Sequence, residues 1–347
     1  MATGASAGPA AGSTSSAAST MEGPDWSRRR RWTGWVWAAL LVALVGLIGV
    51  PTDRGSLLLI VVSGLGITCL GRGWKAFGRV LLDWLPFTAA LVVWDVSRGI
   101  ADAVGLPLHV SDVAGADRFL FGGTVPTVWM QNHYFDPGRV HWYDAVATLV
   151  YATHFLATPV LAAVLYLGDR HVWLAFVRRV LALAIAGLVT YVLFPAAPPW
   201  YAAREGVIDP VVRASSRGYI WLHINKAGNL LREGQVAANP VAAMPSLHTA
   251  YATIIAICLM AALRTPLRWL LLAYPVAMGL SLVYLGEHYV VDLLAGVLYA
   301  VAVDRAVGVY EGRRGLGGVW SIGADGQRQG GGNTTDARDP SGATRRS

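Results

Sequence analysis

The sequence is poor in charge. Only 14% of its 347 residues are Asp, Glu, Lys or Arg, against roughly a quarter in an ordinary soluble domain. With 54% apolar residues it lacks the polar surface a water-soluble fold of this size needs, so a membrane protein is the first expectation. Cysteine is nearly absent: Cys69 and Cys258 each lie inside an apolar run and show no C-x-x-C spacing. Neither a disulfide framework nor a cysteine zinc site follows, and both read as small buried side chains. Also missing is the H-E-x-x-H pattern of helical zinc hydrolases, which places a catalytic metal well behind metal-free chemistry. A continuous basic face is missing too. The net charge of +7 comes from short clusters between apolar stretches, which fits a positive-inside topology and excludes nucleic acid as the partner.

What is present is a series of apolar runs. Eight approach the roughly 17 to 25 residues that cross a bilayer: Trp35 to Val50, Gly55 to Leu70, Val80 to Ile100, Trp142 to Gly168, Leu174 to Phe194, Ser246 to Leu263, Leu267 to Gly286 and Tyr289 to Gly308. The expected fold is all-α, a polytopic transmembrane bundle of about eight spans. Residues 1–33 and 309–347 are rich in small or polar residues and read as disordered cytoplasmic tails. Residues 34–79 hold two accessory spans, and 80–308 form the catalytic membrane domain. Arg28 to Arg31 resemble the start of a signal peptide, but no small-residue cleavage site follows, so the first run is an uncleaved span.

Threading eight spans puts the clusters at Arg28–Arg31, Arg72–Arg79, Arg170–Arg179, Arg264–Arg268 and Arg305–Arg314 on one side. By the positive-inside rule that side is the cytoplasm, together with both termini. The opposite, extracytoplasmic side of this multi-pass cell-membrane protein holds two long connections, 101–141 and 195–245. Connections of that length are usually functional. The second carries Arg204, Arg213, Arg217, Lys226 and Arg232 against Glu205, Asp209 and Glu233. Cations kept on the outer side point to an anionic ligand.

Three segments reach that interface: Phe194-Pro195-Ala196-Ala197-Pro198-Pro199-Trp200, Ala243-Met244-Pro245-Ser246-Leu247-His248, and Tyr284-Leu285-Gly286-Glu287-His288-Tyr289-Val290-Val291-Asp292. His288 and Asp292 are four apart, so on a helix they share a face. The carboxylate holds one ring nitrogen protonated and leaves the other free to attack. His248 follows Pro245, a residue favoured in a first helical turn, where backbone N–H groups and the helix dipole favour phosphate. It is placed to protonate a leaving oxygen. His133, His141, His171 and His223 read as amphipathic residues at a polar boundary. Asp83, Asp95, Arg98, Asp144 and His154 lie within spans and read as structural pairs between helices, although an ionisable residue in a span also marks function.

Pro245-Ser246-Leu247-His248 and the H-x-x-x-D of His288 to Asp292 resemble the second and third signature motifs of the type 2 phosphatidic acid phosphatase (PAP2) superfamily. Combined with A-P-P-W, they are most similar to its Aur1-like inositol phosphorylceramide synthase branch, over roughly Val80 to Gly308. The resemblance implies a six-helix core and a phosphohistidine on His288, with Asp292 orienting it and His248 acting as acid and then base. It also implies Pro198, Pro199, Arg213, Ser246 and Tyr289 around the substrate phosphate, and it calls for no cofactor. The K-x6-R-P first motif is missing, and Leu282 stands where S-R-x5-H places its arginine, although Ser281 is kept. Arg213, with Arg204 or Lys226 as helpers, is the expected replacement for those cations.

The implied activity is an inositolphosphotransferase-like transfer from a membrane phospholipid or polyprenyl phosphate to an alcohol such as inositol or a glycolipid. With water as acceptor the same site is a lipid phosphatase. A transporter or scramblase would show polar residues inside spans, which are few, and inverted repeats, which are not seen. An inert scaffold has no physical need for two outward histidines and a carboxylate at this spacing.

Overall fold

Each of the eight apolar runs falls on a helix in the computed structural model, which describes residues 25–48, 54–100, 106–236, 242–263 and 265–316. Most of both tails and the side chains of Asp95 and Arg98 lie outside the described residues. In chain order the helices are α1 (Trp26–Ile48), α2 (Arg54–Thr68), α3 (Trp74–Ile100), α4 (Ser111–Leu120), α5 (Pro126–Tyr134), α6 (Trp142–Gly168), α7 (Arg170–Leu193), α8 (Pro199–Arg204), α9 (Gly218–Trp221), α10 (Asn225–Val236), α11 (Leu247–Ala262), α12 (Ala273–Tyr284) and α13 (Val290–Arg313). A 3-10 segment, Pro266–Leu272, leads into α12. No strand occurs among the described residues.

Four stretches are long and apolar enough to cross a membrane: Trp74–Val93, Trp142–Gly168, Arg170–Leu193 and Pro266–Tyr284. Leu59–Thr68 and Leu247–Ala262 are shorter apolar helices. The fold is therefore an all-α, multi-pass membrane bundle. Two tail boundaries differ from the sequence reading: α13 runs on to Arg313, and α1 starts at Trp26 and takes in the four arginines. The reason is local, because the Asp25 carboxylate accepts from the Ser27 and Arg28 backbone N–H groups at 3.1 and 3.2 Å and caps the helix.

Helix α11 is the pivot of the bundle and packs on α6, α7, α12 and α13. Its partners close in because the crossing residue is small: a Cβ on Gly296 of α13 would stand 2.4 Å from the Ser246 carbonyl oxygen. Below this crossing a core of Trp84, Trp173, Phe176, Leu183 and Ile254 fills the space between α3, α7 and α11. Large apolar residues such as Leu82, Val164, Ile185, Leu280 and Leu298 remain exposed on the outer faces, where acyl chains replace water.

At the foot of the bundle Arg179, 2% exposed, donates to Asp304 at 2.7 Å and to Glu311 at 3.0 Å, and Arg178 also pairs with Glu311. Arg170 forks onto Asp83 at 2.8 and 2.5 Å, so Asp83 is the interhelical pair that the sequence suggests. Asp292 and Glu311 lie at opposite ends of α13. At 1.5 Å per residue they are about 28 Å apart, close to the thickness of a hydrocarbon core.

Candidate active site

The histidine motif is built by a cap and not by a helix face. Helix α13 starts at Val290, so His288 lies outside it, and Asp292, in the first turn, reaches back to the chain that enters. Its Oδ2 accepts from the Tyr289 backbone N–H at 2.9 Å and faces His288 Nδ1 at 3.3 Å. The four-residue spacing thus brings the pair together as expected, by capping geometry. The opposite ring nitrogen, His288 Nε2, stands 3.3 Å from His248 Nδ1. With Nδ1–H of His288 held by the carboxylate, Nε2 is the acceptor and His248 Nδ1 the donor.

His248 is the second residue of α11, whose N-cap is Ser246: its Oγ accepts from the Thr249 N–H at 3.4 Å. Pro245 therefore precedes the cap and is not in the first turn, because the serine side chain takes the capping role instead. The Ser246 N–H donates to the Asp292 carbonyl at 2.9 Å, which locks the two motifs together. Ser246 is fully buried.

Gly286 makes the approach of the second connection possible. It has φ +78°, and a Cβ there would meet the Val212 carbonyl oxygen at 2.8 Å. The Trp200 N–H donates to the Gly286 carbonyl at 3.2 Å and the Ala214 N–H to Leu285 at 3.0 Å. The A-P-P-W segment and Arg213 are thereby laid along the turn that carries His288. Pro198 and Pro199 open α8. Arg213 forks onto Glu287 at 2.9 and 3.1 Å, and its guanidinium lies over the Trp200 ring at 4.9 Å. Arg204 is exposed and pairs with its neighbour Glu205 at 3.2 Å. Tyr289 is fully buried in an apolar cluster with Val113, Ala196 and Ile208.

The first connection braces the same turn. Asp117 of α4, fully buried, accepts from the Val290 and Val291 N–H groups at 3.0 and 2.9 Å. Burial pushes its carboxyl up, the two N–H bonds pull it back, and the Asp292 charge pushes it up again. Gln131 of α5 donates to the Tyr284 and Val212 carbonyls, both at 2.8 Å. Sequence reading gave no role to Asp117 or Gln131, which lie in no motif, or to Glu287, which lies inside the third segment.

His154 of α6, read as structural, has its ring 4.0 Å from that of His248. Tyr151, one turn earlier, stacks on His248 at 5.2 Å. Asp144 bonds Tyr284 Oη at 2.5 Å and stands 3.6 Å from Arg217, which is the interhelical pairing expected of it. No group of three or more His, Cys, Asp or Glu among the described residues is arranged to hold a metal ion.

Two imidazoles and a buried carboxylate stand in line at one end of an apolar helical bundle, an arrangement that can supply an imidazole nucleophile and an imidazole acid. Residues 126–304, about half of the chain, match the family model described as the PAP2 superfamily, and the chain belongs to that superfamily. It is 26% identical over 252 residues to the phosphoinositol dihydroceramide synthase of Bacteroides thetaiotaomicron, covering 64% of this chain and 75% of that protein. It is also 26% identical over 236 residues to the inositol phosphorylceramide synthase catalytic subunit AUR1 of Saccharomyces cerevisiae, covering 66% of this chain and 56% of that protein. No solved structure matches.

Proposed function

We propose that the chain transfers a phosphoryl group with its headgroup from a membrane lipid to an alcohol, through a phosphohistidine on His288. The observation that carries this reading is the line Asp292–His288–His248, with contacts of 3.3 and 3.3 Å. The names of the two synthase relatives, which join inositol phosphate to a ceramide, support transfer over hydrolysis.

The substrate replaces the 3.3 Å contact of His288 Nε2 with His248 Nδ1, its phosphorus facing Nε2 and its leaving oxygen facing His248 Nδ1. The Nε2 lone pair attacks phosphorus, the P–O bond to the lipid alcohol breaks, and its electron pair goes to the leaving oxygen. His248, as an imidazolium, gives its Nδ1 proton to that oxygen. In the second half the acceptor hydroxyl loses its proton to His248 Nδ1 while its oxygen attacks phosphorus. The P–N bond breaks and its pair returns to His288. Asp292 keeps Nδ1–H of His288 in place and stabilises the positive ring. Arg213, using N–H groups outside its fork to Glu287, contacts the phosphoryl oxygens.

The motif ends of α11 and α13 face the extracytoplasmic side in this proposal. The basic ends of α7 and α13 face the cytoplasm, as the one-sided clusters require. The deciding experiment is acid-labile, base-stable trapping of label from a phosphorus-labelled phospholipid, with the products separated. A labelled protein and a labelled lipid product are expected. Free phosphate or free headgroup phosphate as the sole product with every lipid alcohol would make the chain a hydrolase. No labelled protein under any quench would remove the phosphohistidine.

A further inference from the structure

His248 has two histidine neighbours, and they meet it in different ways. His288 comes edge-on: the ring centroids are 5.4 Å apart with the planes at 64°, and the facing nitrogens are 3.3 Å apart. His154 of α6 comes face-on, with the centroids only 4.0 Å apart and the planes inclined by 39°. The first geometry lies along a nitrogen-to-nitrogen line and suits the passage of a proton. The second is mainly contact between ring faces and suits packing. Tyr151, three residues earlier on α6, sets a second ring against His248 at 5.2 Å and 25°.

An acid at position 248 needs such packing. Its place as second residue of α11 fixes where Cβ points, but χ2 of a histidine is a broad, roughly two-fold torsion. A half-turn about χ2 puts Cδ2 where Nδ1 stands, and a carbon has no proton to give to a leaving oxygen. The edge of a turning ring sweeps out of its own plane and into the space that His154 fills at 4.0 Å. His154 is itself seated on α11: besides His248 it meets Tyr251, about one turn further on, with the ring centroids 5.8 Å apart. Tyr151 is 4% exposed, and its hydroxyl accepts from Gln235 Nε2 at 3.2 Å. The pair Tyr151 and His154 on α6 thus packs against the pair His248 and Tyr251 on α11, and the ring plane of His248 is set from the neighbouring helix.

We infer that His154 is a positioning residue for the acid: with Tyr151 it holds the His248 ring so that Nδ1, and not Cδ2, faces the leaving oxygen. This role rests on the phosphohistidine reading of the site. It is the same for transfer and for hydrolysis, because both begin with the step in which that oxygen departs.

The test uses two donors with the same headgroup phosphate and different leaving groups, phosphatidylinositol and nitrophenyl inositol phosphate, with the purified full chain in mixed micelles. Nitrophenolate departs without a proton, whereas the lipid alcohol needs one. His154→Ala is expected to lower kcat/KM for phosphatidylinositol by about 10- to 100-fold, the cost of a misplaced catalytic group, and to slow the aryl donor far less. His154→Phe, which restores a flat ring face, is expected to recover most of that loss. In a His248→Ala protein, adding His154→Ala is expected to leave the ratio of the two donors unchanged, since a residue that acts through another has nothing left to act on. The ratio is insensitive to the folded fraction, and a merely structural role would slow both donors alike. Equal slowing of both donors by His154→Ala, no slowing of either, a His154→Phe protein as selective as His154→Ala, or a further change of ratio in the double variant would each overturn the role. Failure of the phosphohistidine reading looks different: the wild type then forms no labelled protein from either donor, and the role of His154 falls with it.

Discussion

Removing Asp117 tests whether the first connection positions the nucleophile. Its two carboxylate oxygens accept from Val290 and Val291 at 3.0 and 2.9 Å, and these are free N–H groups at the head of the helix that bears Asp292. Asp117→Asn keeps one acceptor and turns the other into an NH2 group facing an N–H, so one charge-assisted bond of about 1.5 to 3 kcal/mol is lost. If that loss appears wholly as misplacement of His288, the chemical step slows by about 10- to 100-fold, and a shift of about 1 Å has a similar effect. Removing the charge also relieves repulsion on Asp292. The direct bonds at 2.9 to 3.0 Å outweigh this, because the two carboxylates are not in contact. Asp117→Ala loses both bonds and is expected to be slower than Asp117→Asn. The assay is the single-turnover rate of phosphoenzyme formation at saturating lipid, with Asp112→Ala, an exposed change on the same helix, as control. A monodisperse Asp117→Ala protein that forms phosphoenzyme at the wild-type rate would refute the brace.

His248→Ala is expected to slow lipid donors with poor leaving groups most, and donors with an activated aryl leaving group least; equal slowing of both would deny it the role of acid. Gly286→Ala places a Cβ 2.8 Å from the Val212 carbonyl at φ +78°. It is expected to displace the segment that carries Arg213 and cut turnover at least tenfold with the helical circular dichroism intact. Arg179→Ala leaves the buried Glu311 with Arg178 as its remaining partner. It is expected to destabilise the bundle by about 3 to 5 kcal/mol, seen as earlier thermal aggregation in detergent, whereas an unchanged transition would mean that the foot of the bundle is hydrated. Single cysteines placed in the 101–141 and 195–245 connections are expected to react with an impermeant reagent in intact cells, and labelling only after lysis would invert the topology.

The helices and the approach of His288 to Asp292 were legible because each rests on a local pattern. Long apolar runs have no stable alternative to a helix in lipid, and a carboxylate four residues after a histidine meets it whether the pair lies on a helix face or in a cap. Sequence spacing does not distinguish those two geometries, and the structure chose the cap because Asp292 binds the Tyr289 N–H. The residues that escaped the sequence act across long separations: Asp117 reaches Val290 and Val291, and Gln131 reaches Tyr284 and Val212. No periodicity records such pairings, and each residue alone reads as an ordinary polar side chain in a connection.

Arg213 shows the limit from the other direction. An excess of cations on the outer side marked it out, and the structure does set it beside the catalytic turn, yet the same contact with Glu287 removes much of the charge that made it conspicuous. A charge count locates an anion site only when the cations are unpaired, and pairing is a property of the fold. Glu287 sits next to His288 in the chain, but adjacency in sequence records neither its burial nor its fork to Arg213.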